Sequence, residues 1–225
     1  MRILQIHNAY FSGKGGEDIV IENEAKLLNE AGFEVVLKSV ATQATDVSGI
    51  KGLAKTALKS VYSFASRKLV RQWVKEVQPD VVHVHNTFPL LSPSILHELH
   101  ALGIPTVVTL HNYRLVCANA LLLHEGSACN KCVTGSAWNA VKHSCYKDSK
   151  IASGIQATRR VVHDWLGTYS KKVDAIIVLS DFAHDIFAQS GIPAEKMYVK
   201  PNFVMPRPPQ MAEKKNRVVF VGRLV

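Results

Sequence analysis

The chain has 225 residues, 47% hydrophobic and 20% charged, and its 27 Lys and Arg against 18 Asp and Glu give a formal charge of +9. This is the composition of a folded soluble protein, large enough for one α/β domain or a domain and a half; it has no run of about 18 uncharged apolar residues that would cross a membrane and no secretory leader, which points to the cytoplasm. The basic balance favours anionic partners such as phosphorylated ligands or lipid headgroups, while the dispersed basic residues and the lack of any helix-turn-helix, zinc-finger or ribonucleoprotein signature argue against nucleic acid.

Taken in chain order, β-branched runs alternate with longer amphipathic stretches, the pattern of β-α units feeding a parallel sheet. The first predicted strand, Arg2–His7, runs into Ser12-Gly13-Lys14-Gly15-Gly16-Glu17 and then into a helix over Asp18–Ala31. Glycines remove the Cβ atoms that would hold a ligand off, and the helix N-terminus behind them offers unpaired N–H groups to a phosphate or sugar oxygen. The spacing is neither G-x-G-x-x-G nor G-x-x-x-x-G-K-[ST], so a plain tight turn stands beside a ligand loop as a reading.

A strand over Glu34–Ser39 follows, then a helix over about Ala54–Val77. Its segment Lys51–Lys75 sets Leu58, Val61, Phe64, Val70 and Trp73 among Lys55, Lys59, Arg67, Lys68 and Arg71. Such a stripe either packs on the sheet with a solvated basic face or lies on an anionic membrane surface. Further strands are expected at Val81–His85, Thr106–Leu110, Ala175–Leu179, Met197–Lys200 and Val218–Val221, and helices at Ser92–Leu102, about Ser153–Ser170 and Asp181–Gln189. His83 and His85 share one face of their strand by the period of two, and both read as structural or acceptor-side residues.

Between the strand ending at Leu110 and the helix near Ser153 lies an excursion over Asn112–Lys150, far longer than an ordinary βα loop. It holds all four cysteines, Cys117, Cys129, Cys132 and Cys145. Cys129-x-x-Cys132 has the bite of a zinc or redox pair, flanked by the other two, and His124 and His143 stand in reserve. A structural zinc, free or redox-active thiols, and disulfides are all compatible with the spacing, with disulfides disfavoured in a reducing compartment. Four thiolates would close the coordination shell, so such a zinc would not be catalytic.

The predicted fold class is α/β: a Rossmann-like parallel sheet with helices on both faces and a Cys-rich insertion at 112–150. Residues 1–205 make the domain, 206–216 (Pro206-Arg-Pro-Pro through Asn216) read as a linker, and 217–225 read as the first strand of a further domain.

The motifs Gly13–Glu17, Pro79-Asp-Val-Val-His-Val-His-Asn86, Thr109-Leu-His-Asn112, Val178-Leu-Ser180, Lys200-Pro-Asn202 and Val219-Phe-Val-Gly-Arg-Leu224 span nearly the whole chain. In that order they resemble the N-terminal half of a retaining glycosyltransferase of the GT-B fold, in family four. The resemblance implies two Rossmann-like domains facing across a cleft, with the nucleotide-sugar donor held mainly by the C-terminal one and a glycan or lipid-linked acceptor mainly by the N-terminal one. It places Gly15 and Gly16 beside the donor diphosphate and sugar, Arg223 on the diphosphate, His111 as the catalytic-site residue close to the transferred sugar, and Glu17, His85 and Asn112 on the acceptor side. Backbone N–H groups and an arginine fork suit the charge that develops on a departing nucleoside diphosphate, so no metal or other cofactor is expected for the chemistry. The glutamate pair that grips the donor in such enzymes has no counterpart here, so the 225 residues are expected to be inactive by themselves. A non-catalytic glycan- or membrane-binding module, docked at the inner face of the membrane, is the alternative.

Overall fold

The computed structural model describes residues 1–9, 15–41 and 56–205, together with residues 216, 218 and 220. In chain order the strands are β1 (Arg2–Ala9), β2 (Glu34–Ala41), β3 (Val81–Asn86), β4 (Thr106–Leu110), β5 (Leu123–His124), β6 (Ser127–Ala128), β7 (Ala175–Val178) and β8 (Met197–Val199). All but β5 and β6, which pair antiparallel with each other, form one sheet ordered β2-β1-β3-β4-β7-β8 with every pairing parallel. The Rossmann-like α/β fold expected from the alternating pattern is present.

Burial follows position in the sheet. Residues 3–8 of β1 and 82–85 of β3 are buried without alternation, as expected of central parallel strands covered on both faces, whereas the edge strand β2 alternates and leaves Leu37 exposed. On one face of β3, Val82 and Val84 join a core with Val70 and Val74 of helix α2 (Phe64–Val77) and Ile95, Leu96 and Leu99 of helix α3 (Ser94–Ala101). The opposite face of β3 carries His83 and His85 towards helix α1 (Gly16–Glu30).

The single helix expected over Ala54–Val77 is two helical stretches, residues 56–61 and α2. A knot of serines makes the break. Ser63 has extended backbone and its hydroxyl accepts from Ser66 N, so it caps α2, while its own backbone N–H donates to Ser94 Oγ and its carbonyl accepts from the same hydroxyl. Ser66 Oγ then donates to the carbonyl of Leu90. The helix expected over Ser153–Ser170 is likewise divided into α5 (Lys150–Trp165) and α6 (Thr168–Lys171), because Gly167 sits at φ +62, and a Cβ there would lie 2.9 Å from Lys171 Cδ. The helix expected from Ser92 starts two residues later, at Ser94, since Ser92 is left-handed at φ +54. Helix α7 (Asp181–Gln189), capped by Ser180, has the expected bounds.

Of the basic stripe, Val70 and Val74 point into the core, and Arg67 and Arg71 are tied to one buried carboxylate, Glu98 of α3, at 3.0 and 2.6 Å. The packed-helix reading therefore holds for its described part; Lys51, Leu53 and Lys55 lie outside the described residues, and Leu58 and Phe64 are exposed. Among the described residues no helix is long and apolar enough to cross a membrane. Residues 206–215 of the expected linker, Val219 and Val221 of the strand expected at Val218–Val221, and Arg223 lie outside the described residues, and Val218 and Phe220 are exposed and in no strand.

Burial opposes ionisation of Glu98, but the hydrogen bonds and charges of Arg71 and Arg67 outweigh it and hold the carboxyl below its ordinary range. Its contribution is therefore present above the unfolded value and is lost as pH falls through the folded one. Glu98→Gln should lower unfolding stability by about 1–2 kcal/mol, less than a fully buried pair because Arg71 is half-exposed and screened. Urea unfolding at pH 7 reads the loss, which should shrink as the pH is taken below 4.

Candidate functional site

In an open parallel sheet, ligands lie beyond the carboxyl ends of the strands where the chain's direction of winding reverses. Here β2 leaves β1 to one side and β3 to the other, so that place lies between the ends of β1 and β3. The side chains gathered there form one hydrogen-bonded set. Asn8, at the end of β1, accepts from Leu90 N at 2.8 Å, and Asn86, at the end of β3, accepts from Phe88 N and donates towards Asn8 O and Glu17 Oε2, both at 3.3 Å. Asn112, just past β4, donates to the other oxygen of Glu17 at 3.1 Å and accepts from Arg114 N. Glu17, in the first turn of α1, thereby bridges the ends of β3 and β4. Burial pushes its carboxyl up, against the pull of Asn112, Arg114 and Asn86 and with that of Asp18.

The turn into α1 is held from inside the sheet. Asp18 reaches back to accept from Gly15 N at 2.7 Å, and its other oxygen lies 2.9 Å from Nε2 of the buried His7. Residues 10–14, including Gly13, lie outside the described residues, but Gly15 and Gly16 open the helix. A Cβ built on Gly16 meets nothing within 4 Å among the described residues, so packing does not demand glycine there. Among the described residues nothing crowds the helix end at Gly16, the kind of place where an anion can approach backbone N–H groups.

Behind Glu17 lies a column of histidines. His85 Nδ1 and His111 Nε2 are 3.1 Å apart, the His83 and His85 rings stand 4.0 Å apart, and His83 Nε2 meets Thr109 Oγ1 at 2.7 Å. Burial, with the charges of His7, His83 and Lys200 next, holds His111 down to about 4, and burial holds His83 at about 4 and His85 well below its ordinary value. All three are neutral at pH 7. A neutral imidazole has one N–H, and His111 Nδ1, a buried atom, has no hydrogen-bond partner among the described residues. His83 is wholly internal.

A cleft runs outward from these strand ends, lined by His85, Asn86, Phe88, His111, Asn112 and Arg114 among others. The guanidinium groups of Arg114 and Arg159 both lie over the Phe88 ring, at 4.7 and 5.0 Å from its centroid, and Arg114 also stands 5.5 Å from the Tyr146 ring. Asn86, Phe88, Arg114 and Arg159 were not among the residues singled out from the sequence. Asn86 closes the Val-His-Val-His-Asn run, and its place at a strand end is the signal that would have found it; the two arginines are far apart in sequence and gave none.

The segment between β4 and α5 contains a short 3-10 turn (Tyr113–Leu115), the β5-β6 hairpin and helix α4 (Asn139–Lys142). Its four cysteines are free, partly buried thiols. Cys132 is pushed up by burial and by the neighbouring thiols of Cys117, Cys145 and Cys129, so the four share one neighbourhood. Cys117 Sγ donates to Asn119 Oδ1 at 3.0 Å. Among the described residues the group of His, Cys, Asp or Glu whose ligand atoms all lie within 4.8 Å of one another is Glu24, His83 and His85, and the four thiols are not part of it. The rings of His124 and His143, the reserve ligands, lie tilted against each other with centroids 4.6 Å apart.

Residues 14–207 match Glycosyltransferase Family 4. Among solved structures the fold is similar to that of MnaA of S. aureus in complex with UDP, at 13% identity over 89% of this chain and 44% of that one, with a TM-score of 0.49. It is also similar to the lipopolysaccharide outer core galactosyltransferase WaaB (18% identity, 95% of this chain and 50% of that one, TM-score 0.45) and to Arabidopsis thaliana UGT89C1 complexed with UDP-L-rhamnose (13%, 91% and 53%, 0.40). The chain spans about half the length of each. No curated protein matches it.

The buried histidines make stability acid-sensitive. His83, His111 and His163 take up protons near pH 4 in the folded chain but near 6.5 when unfolded, so the unfolded form is protonated first and stability falls as pH drops through that interval. Each contributes up to about 1.4 kcal/mol per pH unit. Urea midpoints measured at pH 7, 6 and 5 should fall progressively; a flat profile would contradict the neutral assignment.

Proposed function

The chain belongs to glycosyltransferase family 4, and from that premise we propose that its cleft is the acceptor side of an enzyme that moves a sugar from a nucleotide-sugar donor to a glycan or lipid-linked acceptor. The observation that carries this reading is the bridge from Glu17 to Asn86 and Asn112, which brings the open N-terminus of α1 to the same edge as His111. A sugar in the cleft would find hydroxyl partners in Asn86, Asn112 and the unpartnered nitrogen of His111. The guanidinium groups beside Phe88 favour an acceptor that carries negative charge, as a phosphate-linked lipid does.

In this reading Gly15 and Gly16 lie beside the donor's phosphate or sugar oxygens, with the Gly16 N–H as donor while that of Gly15 stays on Asp18, and His111, neutral, gives or takes one hydrogen bond at the transferred sugar. His111 acts by orientation and hydrogen bonding, since a group that protonates only near pH 4 does not serve as a strong base at neutral pH. Retention of configuration and independence from metal ions belong to the same proposal, as does Arg223 on the diphosphate. Docking on the inner membrane surface is a further part of it, supported by exposed Leu58 and Phe64 beside Lys59 and Lys68.

The test is acceptor binding by the purified chain, with short glycan phosphates titrated and followed by NMR. Millimolar or tighter binding is expected, weakened about tenfold, or about 1.4 kcal/mol, by Asn112→Ala or Arg114→Ala. Incubation with radiolabelled nucleotide sugars should give no turnover. Absence of acceptor binding would overturn the acceptor-side assignment, and turnover by these 225 residues would overturn the division of labour.

A further inference from the structure

Deep beneath the cleft, three side chains direct their remaining polar atoms at one point. Glu24 is on α1, two turns beyond Glu17, and His83 and His85 are on β3; all three residues are less than 8% exposed. Glu24 Oε2 lies 3.4 Å from His85 Nε2 and 3.7 Å from His83 Nδ1. Among the described residues neither Glu24 Oε2 nor His85 Nε2 has a hydrogen-bond partner, a costly state for buried polar atoms.

The other polar atom of each of these side chains is occupied. His83 Nε2 bonds Thr109 Oγ1 at 2.7 Å, His85 Nδ1 bonds His111 Nε2 at 3.1 Å, and Glu24 Oε1 pairs with Lys200 Nζ at 3.0 Å. When Thr109 and His111 accept, the protons of His83 and His85 sit on the outer nitrogens and both inner nitrogens present lone pairs. Two imidazole nitrogens and a carboxylate oxygen, each oriented by an outer partner, have the arrangement of metal ligands with their supporting shell.

We propose that Glu24 Oε2, His83 Nδ1 and His85 Nε2 form a site for one divalent transition-metal ion, zinc by its donor set. Bonds of about 2.0–2.2 Å to a tetrahedral ion put its ligand atoms roughly 3.3–3.6 Å apart, which is close to the 3.4 and 3.7 Å found. The donor set of two nitrogens and one oxygen excludes the hard ions that prefer all-oxygen shells. Burial keeps both histidines neutral, so no proton has to leave them before they ligate. Lys200 is the opposing charge; its side chain is 39% exposed and so is partly screened by solvent.

Binding of the ion is independent of the transferase reading. Its consequence for His111 rests on that reading: an ion on His85 Nε2 fixes the His85 proton on Nδ1, which donates to His111 Nε2 and leaves the His111 proton on the unpartnered Nδ1 as a donor to the cleft.

The test uses the full chain, stripped with a chelator and titrated with Co2+ alone at pH 7. One ion per chain is expected, with visible bands of a nitrogen and oxygen environment, and X-ray absorption at the cobalt edge should show nitrogen or oxygen neighbours. His85→Gln and Glu24→Gln should weaken binding at least 100-fold, with circular dichroism confirming that each is folded. Thr109→Val, which keeps all three ligands but frees the outer nitrogen of His83, should weaken it 10–100-fold. Cys129→Ser/Cys132→Ser should leave this ion in place. Failure of the unaltered chain to bind Co2+, or binding with sulfur neighbours only, overturns the proposal without reference to any variant, and in neither case does the result bear on acceptor binding.

Discussion

Helix α1 is held across the sheet by two carboxylates on one of its faces, and the rest of the site takes its position from them. Glu17 and Glu24 are seven residues apart, two helical turns, so both side chains descend on the same strands. Glu17 reaches the amides at the ends of β3 and β4, and Glu24 reaches the histidines of β3 and Lys200 just beyond β8. Two amide donors meet Glu17 and the Lys200 ammonium meets Glu24, and a carboxylate that leaves water is costly without such partners, so the two glutamates fix both where α1 lies and how it is rotated. That placement sets the helix's open end over the cleft.

The same requirement explains the histidines. A central parallel strand is normally aliphatic on both faces, and β3 is so on only one, where Val82 and Val84 meet α2 and α3. Its other face carries His83 and His85, whose neutrality is enforced by burial. Polar groups at the centre of a domain cost stability unless satisfied, and the loss of aliphatic packing on that face is offset by a network that reaches the cleft through His111.

Much of the fold could be read from the sequence. Short β-branched runs set between longer amphipathic stretches located the strands of the main sheet, and the Ser180-Asp181 start of α7 was legible because an N-cap is a local device. The breaks in the long helices were not legible. The one at Ser63 depends on Ser94, thirty-one residues away, and no local rule reads a contact of that separation. In the site, His111, Asn112, Gly15 and Glu17 stood in recognisable runs at strand and helix ends. Glu24 lay hidden in an ordinary amphipathic helix, where a glutamate normally faces solvent, and only the sheet beneath it shows that this one does not. The cysteines mark the opposite limit: spacing brought the four thiols to notice, but whether they meet around one point is decided by the path of a segment with little regular structure.

That segment has an anchor of a particular kind. From helix α5, the guanidinium of Arg160 donates to the carbonyls of Val116, Cys132 and Val133, while Arg159 holds that of Arg114. Every one of these acceptors is main chain, and a carbonyl oxygen carries no information about the side chain beside it. The excursion between β4 and α5 can therefore diverge in composition, changing the side chains it displays, without losing its grip on the body of the protein. Its surface chemistry can drift while the architecture stays put.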